Sequence, residues 1–188
     1  MIPFMRAAML GLGVAAVAIA RGDQAPASAA SQRCLASGDG YFRAHIGGAV
    51  DATVDWPNEG TRCEGEPKYP PPGVRLSFQH APNQGLDLLF VFGLTGVVEG
   101  RAAHEVGTNL TVIVQGTDRF YGTRGDSRCT VDSLTQRRLG GSHSYRVEAR
   151  GFCTQPARAV RGDDAVLVST FEFAGLVNYD PPKDENPK

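Results

Sequence analysis

The sequence predicts an all-β protein, an antiparallel β-sandwich of about 8–10 short strands, and three observations carry that prediction. Apolar and polar residues alternate with period two along much of the chain, the mark of strands with one buried face. The 23 glycines and 12 prolines among 188 residues fall largely between the alternating stretches, where they serve as turns. Helical periodicity is scarce beyond the first thirty residues, where only 131–139 offers a helical alternative.

Residues 1–29 read as a Sec-type signal peptide. Arg6 precedes an apolar stretch over 7–20, and Ala27-Ser28-Ala29 supplies the small–x–small cleavage pattern. That stretch is shorter than the roughly 20 apolar residues that span a bilayer, and no later segment is long enough to be a transmembrane segment. Arg33 directly before Cys34 does not fit a lipid-attachment site. The reading is one β-sandwich domain over 30–179, then a disordered tail over 180–188, rich in proline and alternating charge. The expected location is secreted or periplasmic.

An exported chain with four cysteines is expected to hold two disulfides. Of the three pairings, Cys34–Cys63 and Cys129–Cys153 is favoured, because each pair then encloses its own block of strand-like sequence. No two cysteines have the close spacing of a zinc ligand pair or a redox Cys-x-x-Cys.

Taken in order, Phe42, Ala44 and Ile46 share one face of the first strand, with Arg43 and His45 on the other. Val50, Ala52, Val54 and Trp56 form the next set. A three-residue loop over 47–49 would pair Ile46 with Val50 and keep both apolar sets on one face. Residues 67–73, with four prolines, are expected to cross between sheets as an extended polyproline-like segment outside any ladder. Val74, Leu76 and Phe78 mark the next strand. Residues 86–94 are apolar on both faces, which suggests a central strand covered on both sides. Leu110, Val112 and Val114 follow. A turn at Gly140-Gly141 sets Cys129 opposite Cys153, although 131–139 also fits a short helix. Tyr145, Val147 and Ala149 form a further strand. The last runs over 165–179, with Leu167, Phe171, Phe173, Val177 and Tyr179 on one side. The competing architecture is an eight-stranded lipocalin-like barrel, but the Gly-x-Trp of lipocalins is missing, since the single tryptophan is Trp56.

Chemistry is harder to find. The formal net charge of −1 excludes a general nucleic-acid binder, which needs a surplus of Lys and Arg. No Gly-x-Ser-x-Gly elbow is present. Gly125-Asp126-Ser127 superficially resembles the Gly-Asp-Ser block of a lipase family, but no Asp-x-x-His accompanies it. His45, His80, His104 and His143 are dispersed, so no catalytic residue, metal ligand or cofactor is assigned. Asp163-Asp164, Asp118 and Asp126 read as turn residues. Arg-Gly-Asp occurs at 21–23, 124–126 and 161–163. Adhesion through the tripeptide is the weaker reading, because glycine between polar residues is ordinary turn composition. Asn109-Leu110-Thr111 is a glycosylation sequon, usable only at an exposed strand edge.

The expected function is a non-enzymatic exported binding module whose partner is an unknown macromolecule or surface. A small-molecule or lipid carrier with a β-barrel cavity is the alternative. A hydrolase or metalloenzyme would require several histidines and acids to converge. Two candidate interaction surfaces emerge: the strand face carrying Arg146, Glu148 and Arg150, and the loop over 118–127 carrying Phe120, Tyr121, Arg124 and Asp126. Aromatic residues beside arginine are the composition of interface hot spots.

Overall fold

A computed structural model of the protein describes residues 32–80 and 85–180. The expected signal peptide and the tail beyond Asp180 lie outside those residues. Eleven strands are present: β1 (Tyr41–Gly48), β2 (Ala52–Pro57), β3 (Thr61–Lys68), β4 (Gly73–His80), β5 (Leu88–Thr95), β6 (Ala103–Val114), β7 (Phe120–Gly122), β8 (Cys129–Arg138), β9 (Ser144–Cys153), β10 (Ala157–Ala159) and β11 (Ala165–Asn178). All pair antiparallel within one hydrogen-bonded sheet. The all-β antiparallel class expected from the sequence is therefore what the structure holds.

The ladder runs from β2 through β1 to β11, and from β6 through β5 and β4 to β3. Between β11 and β6 it forks. One branch is the long pair β9–β8, and the other is the short pair β10–β7. The sheet folds over so that β1 and β11 lie against β4 and β5, and the space between them is filled with aromatic rings. Phe42 of β1 contacts Phe78 at 5.0 Å and Phe90 at 4.6 Å, while Phe173 of β11 contacts Phe78 at 4.9 Å. Stacked and tilted rings at these separations contribute beyond their burial.

The disulfides have the favoured pairing, Cys34–Cys63 and Cys129–Cys153. Cys129 and Cys153 are direct cross-strand partners, as the turn at Gly140-Gly141 requires. The register reaches them by a different route. Arg138 pairs with Tyr145, so the turn is one residue longer than expected, and a bulge at Asp132 takes up the extra residue. Residues 131–139 are therefore strand, not helix.

Other differences also have local causes. Ile46 pairs with Ala52, not Val50, because Gly47 and Gly48 continue β1 against Leu167 and Val166. A slip of two residues keeps every side chain on its face. A bulge in β11 between Val168 and Thr170 moves Leu167 out of phase with Phe171, so Val166 and Val168 point inward instead. In β5, Leu88, Phe90, Phe92 and Leu94 are buried, and Leu89 and Val91 are only half-covered.

The proline-rich segment is not a crossing. Pro67 and Lys68 pair with Val74 and Gly73, and 69–72 turn the chain back into β4. β3 is an edge strand, where a residue lacking an N–H is tolerated. It was not expected from the sequence, because its alternate positions are Thr61, Cys63, Gly65 and Pro67 and not large apolar residues. Small residues suit its position. A Cβ on Gly65 would lie 2.5 Å from the Leu176 carbonyl oxygen of β11 and 2.7 Å from Val177.

Candidate functional site

Side chains on the outer face of β2, β1, β11, β9 and β8 fall into register as a cross-strand row. Asp55 stands opposite Arg43, Arg43 opposite Glu172, Glu172 opposite Arg150, and Arg150 opposite Ser133. Strands about 4.8 Å apart bring such neighbours within reach of one another. Arg43 donates to the Asp55 carboxylate and to the Glu172 carboxylate, each at 2.9 Å. Those two hydrogen bonds raise the Arg43 pKa further above the ordinary arginine range. Each pair is solvent-exposed, so its net stabilisation is small.

Arg150 is the next cation in the row. It is exposed and has no hydrogen-bond or ion-pair partner among the described residues. It borders a groove of about 560 Å³ that also includes His45, Thr53, Asp132, Phe152 and Thr170. Asp132, pushed outward by the β8 bulge, is exposed, and its carboxylate has no partner among the described residues. Phe152 is 36% exposed, and of the strand phenylalanines only Phe120 shares such exposure among the described residues. His45 Nδ1 lies 3.2 Å from Thr53 Oγ1. The groove thus offers a free guanidinium, a free carboxylate, hydroxyls and an aromatic surface. It presents recognition groups, and within it the Thr53 hydroxyl meets the His45 imidazole.

Arg146, on the same face, is differently placed. Its side chain is only 13% exposed, and it ion-pairs with Asp39 at 2.8 Å and Glu148 at 2.6 Å. It is a clamp that ties the segment before β1 to β9, and its charge is already satisfied. Asp39 is held below the usual carboxylate range, chiefly by a hydrogen bond from Ser37 and also by Arg146 and Arg137. Burial, followed by the nearby Glu148 carboxylate, raises the Tyr41 phenol. Asn58 completes this corner. Its buried Oδ1 accepts from the N–H groups of Leu35 and Gly40.

The loop over 118–127 does not present the aromatic pair expected of it. Strand β7 alternates, so Phe120 is 40% exposed while Tyr121 is only 1% exposed and belongs to the core. The Tyr121 hydroxyl accepts from Arg119. Arg124 and Asp126 are exposed in the turn between β7 and β8. That turn is tethered to β6, since the Asp126 carbonyl accepts from Thr108 N–H and the Gly125 carbonyl accepts from Asn109 Nδ2. Residues 161–163, the other described Arg-Gly-Asp, lie in the exposed turn between β10 and β11.

Asn109 itself lies within β6, paired with β5 on one side, and its amide donates to the Thr123 and Gly125 carbonyls. The sequon therefore sits inside the sheet and not at an edge. The four histidines stay apart: His45 faces Thr53, His80 stacks on Trp56, His104 meets the Asp132 carbonyl, and His143 pairs with Glu99 at 2.7 Å. The His143 hydrogen bond holds Glu99 below the ordinary glutamate range. Among the described residues no three His, Cys, Asp or Glu side chains come together as a metal site.

What sequence reasoning missed was Asp132, Phe152 and the Asp55–Arg43–Glu172 ladder. Phe152 was legible as an outward position in β9, two residues from Arg150. Asp132 depended on a bulge that no local motif announces. In comparison with known proteins, no family model, curated protein or solved structure matches this chain.

Proposed function

We propose that this protein is an exported, non-enzymatic binding module whose interaction face is the outer surface of β2, β1, β11, β9 and β8, centred on Arg150. One observation carries the reading. Asp55, Arg43 and Glu172 satisfy one another along the cross-strand row, whereas Arg150 stands exposed, and unpaired among the described residues, at a groove beside Phe152 and Asp132. An available guanidinium next to an exposed aromatic ring is the composition from which interface hot spots are built. Export is supported by the signal pattern in the sequence and by two disulfides, which persist in oxidising compartments.

The partner in this reading is a macromolecule presenting an acidic group to Arg150 and apolar surface to Phe152. Its two contacts are made by rigid strands, so little order has to be gained on binding. The interior gives less support to a carrier, because the aromatic cluster of Phe42, Phe78, Phe90, Phe92 and Phe173 occupies the space between the layers.

The test uses immobilised protein and the envelope and secreted fractions of its own host. Arg150→Glu and Phe152→Ala are compared with wild type and with Arg158→Glu, an exposed charge change on β10. A component held by wild type and Arg158→Glu but lost from both groove variants supports the reading. A component held equally by all four proteins argues against this face.

A further inference from the structure

The other half of the sheet carries a feature that packing does not explain. Gly93 lies in the interior of β5, paired with Arg75 of β4 on one side and Asn109 of β6 on the other. Glycine weakens a strand, and in such a position it marks a bulge, a close backbone approach or a place where a ligand comes near. β5 has no bulge in either ladder. Nor is there a close approach, since a Cβ on Gly93 would meet nothing nearer than 3.7 Å. This contrasts with Gly73, Gly151 and Gly175, where an added Cβ would come within 2.8 Å of a neighbouring atom.

Gly93 helps line a notch of about 490 Å³ that lies between Arg75 and Asn109. Lys68 and Arg75 border it, and neither has an ion-pair or hydrogen-bond partner among the described residues. The opposite wall carries Asn109, Thr111 and Asp126. Asn109 Nδ2 donates to the Thr123 carbonyl at 3.1 Å and to the Gly125 carbonyl at 3.3 Å, which fixes the amide's orientation and leaves Oδ1 as an acceptor. One side of the notch is thus cationic, and the other is made of hydroxyl-binding groups. A bare oxyanion would suit the cations but would meet the Asp126 carboxylate. A hydroxylated anion suits both.

We propose that this notch binds an acidic sugar, a ring whose anionic group pairs with Lys68 and Arg75 while its hydroxyls bond Asn109 Oδ1, Thr111 and Asp126. The volume is in the range of small-molecule sites. Gly93 is the positioning element, because any larger residue there fills the space a ring would occupy. The site stands apart from the Arg150 groove, so neither depends on the other.

The experiment is an amide-resolved NMR titration of the purified protein with trigalacturonate, glucose 6-phosphate, maltotriose and inorganic phosphate. The expected result is that an acidic sugar shifts the amides of Gly93, Asn109 and Thr111, and binds at least about tenfold more tightly than maltotriose or phosphate. Which of the two acidic probes binds more tightly identifies the anionic group as carboxylate or phosphate. Gly93→Val and Arg75→Gln are each expected to weaken binding about tenfold or more. Arg75 is exposed, so its variant keeps the test valid if Gly93→Val folds poorly. Failure of both acidic sugars to shift these amides overturns the proposal. So does equal binding of maltotriose or phosphate, or unchanged affinity in a folded Gly93→Val or Arg75→Gln protein.

Discussion

Replacing Gly65 by alanine adds one methyl group where β3 passes β11. The new Cβ would lie 2.5 Å from the Leu176 carbonyl oxygen, 2.7 Å from Val177 Cγ2 and 3.1 Å from Val177 Cα. Two of these three neighbours are backbone atoms, so no rotamer change relieves the contact. To reach ordinary van der Waals distance the strands must separate by about 1 Å, which also forfeits part of the dispersion energy across the interface. Overpacking of this kind costs about 1–3 kcal/mol, partly offset by about 0.4–1 kcal/mol from the stiffer unfolded chain. The expected net loss is about 1.3 kcal/mol. Gly93→Ala serves as control, because its Cβ meets nothing within 3.7 Å, and a gain of about 0.5 kcal/mol is expected there. The assay is urea denaturation with disulfides intact. With a slope of about 2 kcal/mol per M, Gly65→Ala lowers the midpoint by about 0.6 M and Gly93→Ala raises it slightly. A Gly65→Ala midpoint at or above that of Gly93→Ala refutes the argument from close approach.

Three further outcomes follow. Phe42 is fully buried and in ring contact with Trp56, Phe78, Phe90 and Phe92, so Phe42→Ala is expected to cost about 4 kcal/mol in the same denaturation assay. Converting Cys129 and Cys153 together to serine removes a cross-link of sequence separation 24, and the chain-entropy model sets the loss at about 3.5 kcal/mol. The Asp39 pKa is depressed in the folded protein, so its contribution is present above the unfolded carboxylate value and is lost as pH falls through the folded one. Thermal melts of wild type and Asp39→Asn are therefore expected to differ at pH 6 and to converge as the solution is acidified past the unfolded carboxylate value and through the depressed folded one.

Most strands were legible because their buried faces are made of large apolar residues two apart. Phe42, Ala44 and Ile46 announce β1 as clearly as Tyr145, Val147 and Ala149 announce β9. β3 escaped because close packing against β11 demands small inward residues, which erases the hydrophobic signal while strengthening the geometric one. β8 was ambiguous for another reason. Its bulge places Val131 and Leu134 on the same face three residues apart, a spacing that suits a helix as well. The site was partly legible. Arg150 was visible as an outward position, but its lack of a partner depends on Arg43 engaging both acids of the row. The period-two rule also placed Tyr121 inside once Phe120 was out, a consequence the expectation of an aromatic pair at the surface overlooked. The notch at Gly93 could not be read at all, since only three-strand register shows that Arg75 and Asn109 flank it.

The fork in the sheet gives the Cys129–Cys153 bond a mechanical meaning. β6 exchanges partners between Thr108, which faces Cys129, and Thr111, which faces Gly122, while β11 makes the corresponding change between Val166 and Phe171. Along that seam the hydrogen bonds of one branch cannot support those of the other. The short branch is only three residues long on each side and is the natural place for a tear to begin. The disulfide is a rivet set at the crotch of the fork, where a tear running up from β7 and β10 would enter the longer pair. Opening at one end of the molecule is thereby kept from spreading into the strands that carry Arg150.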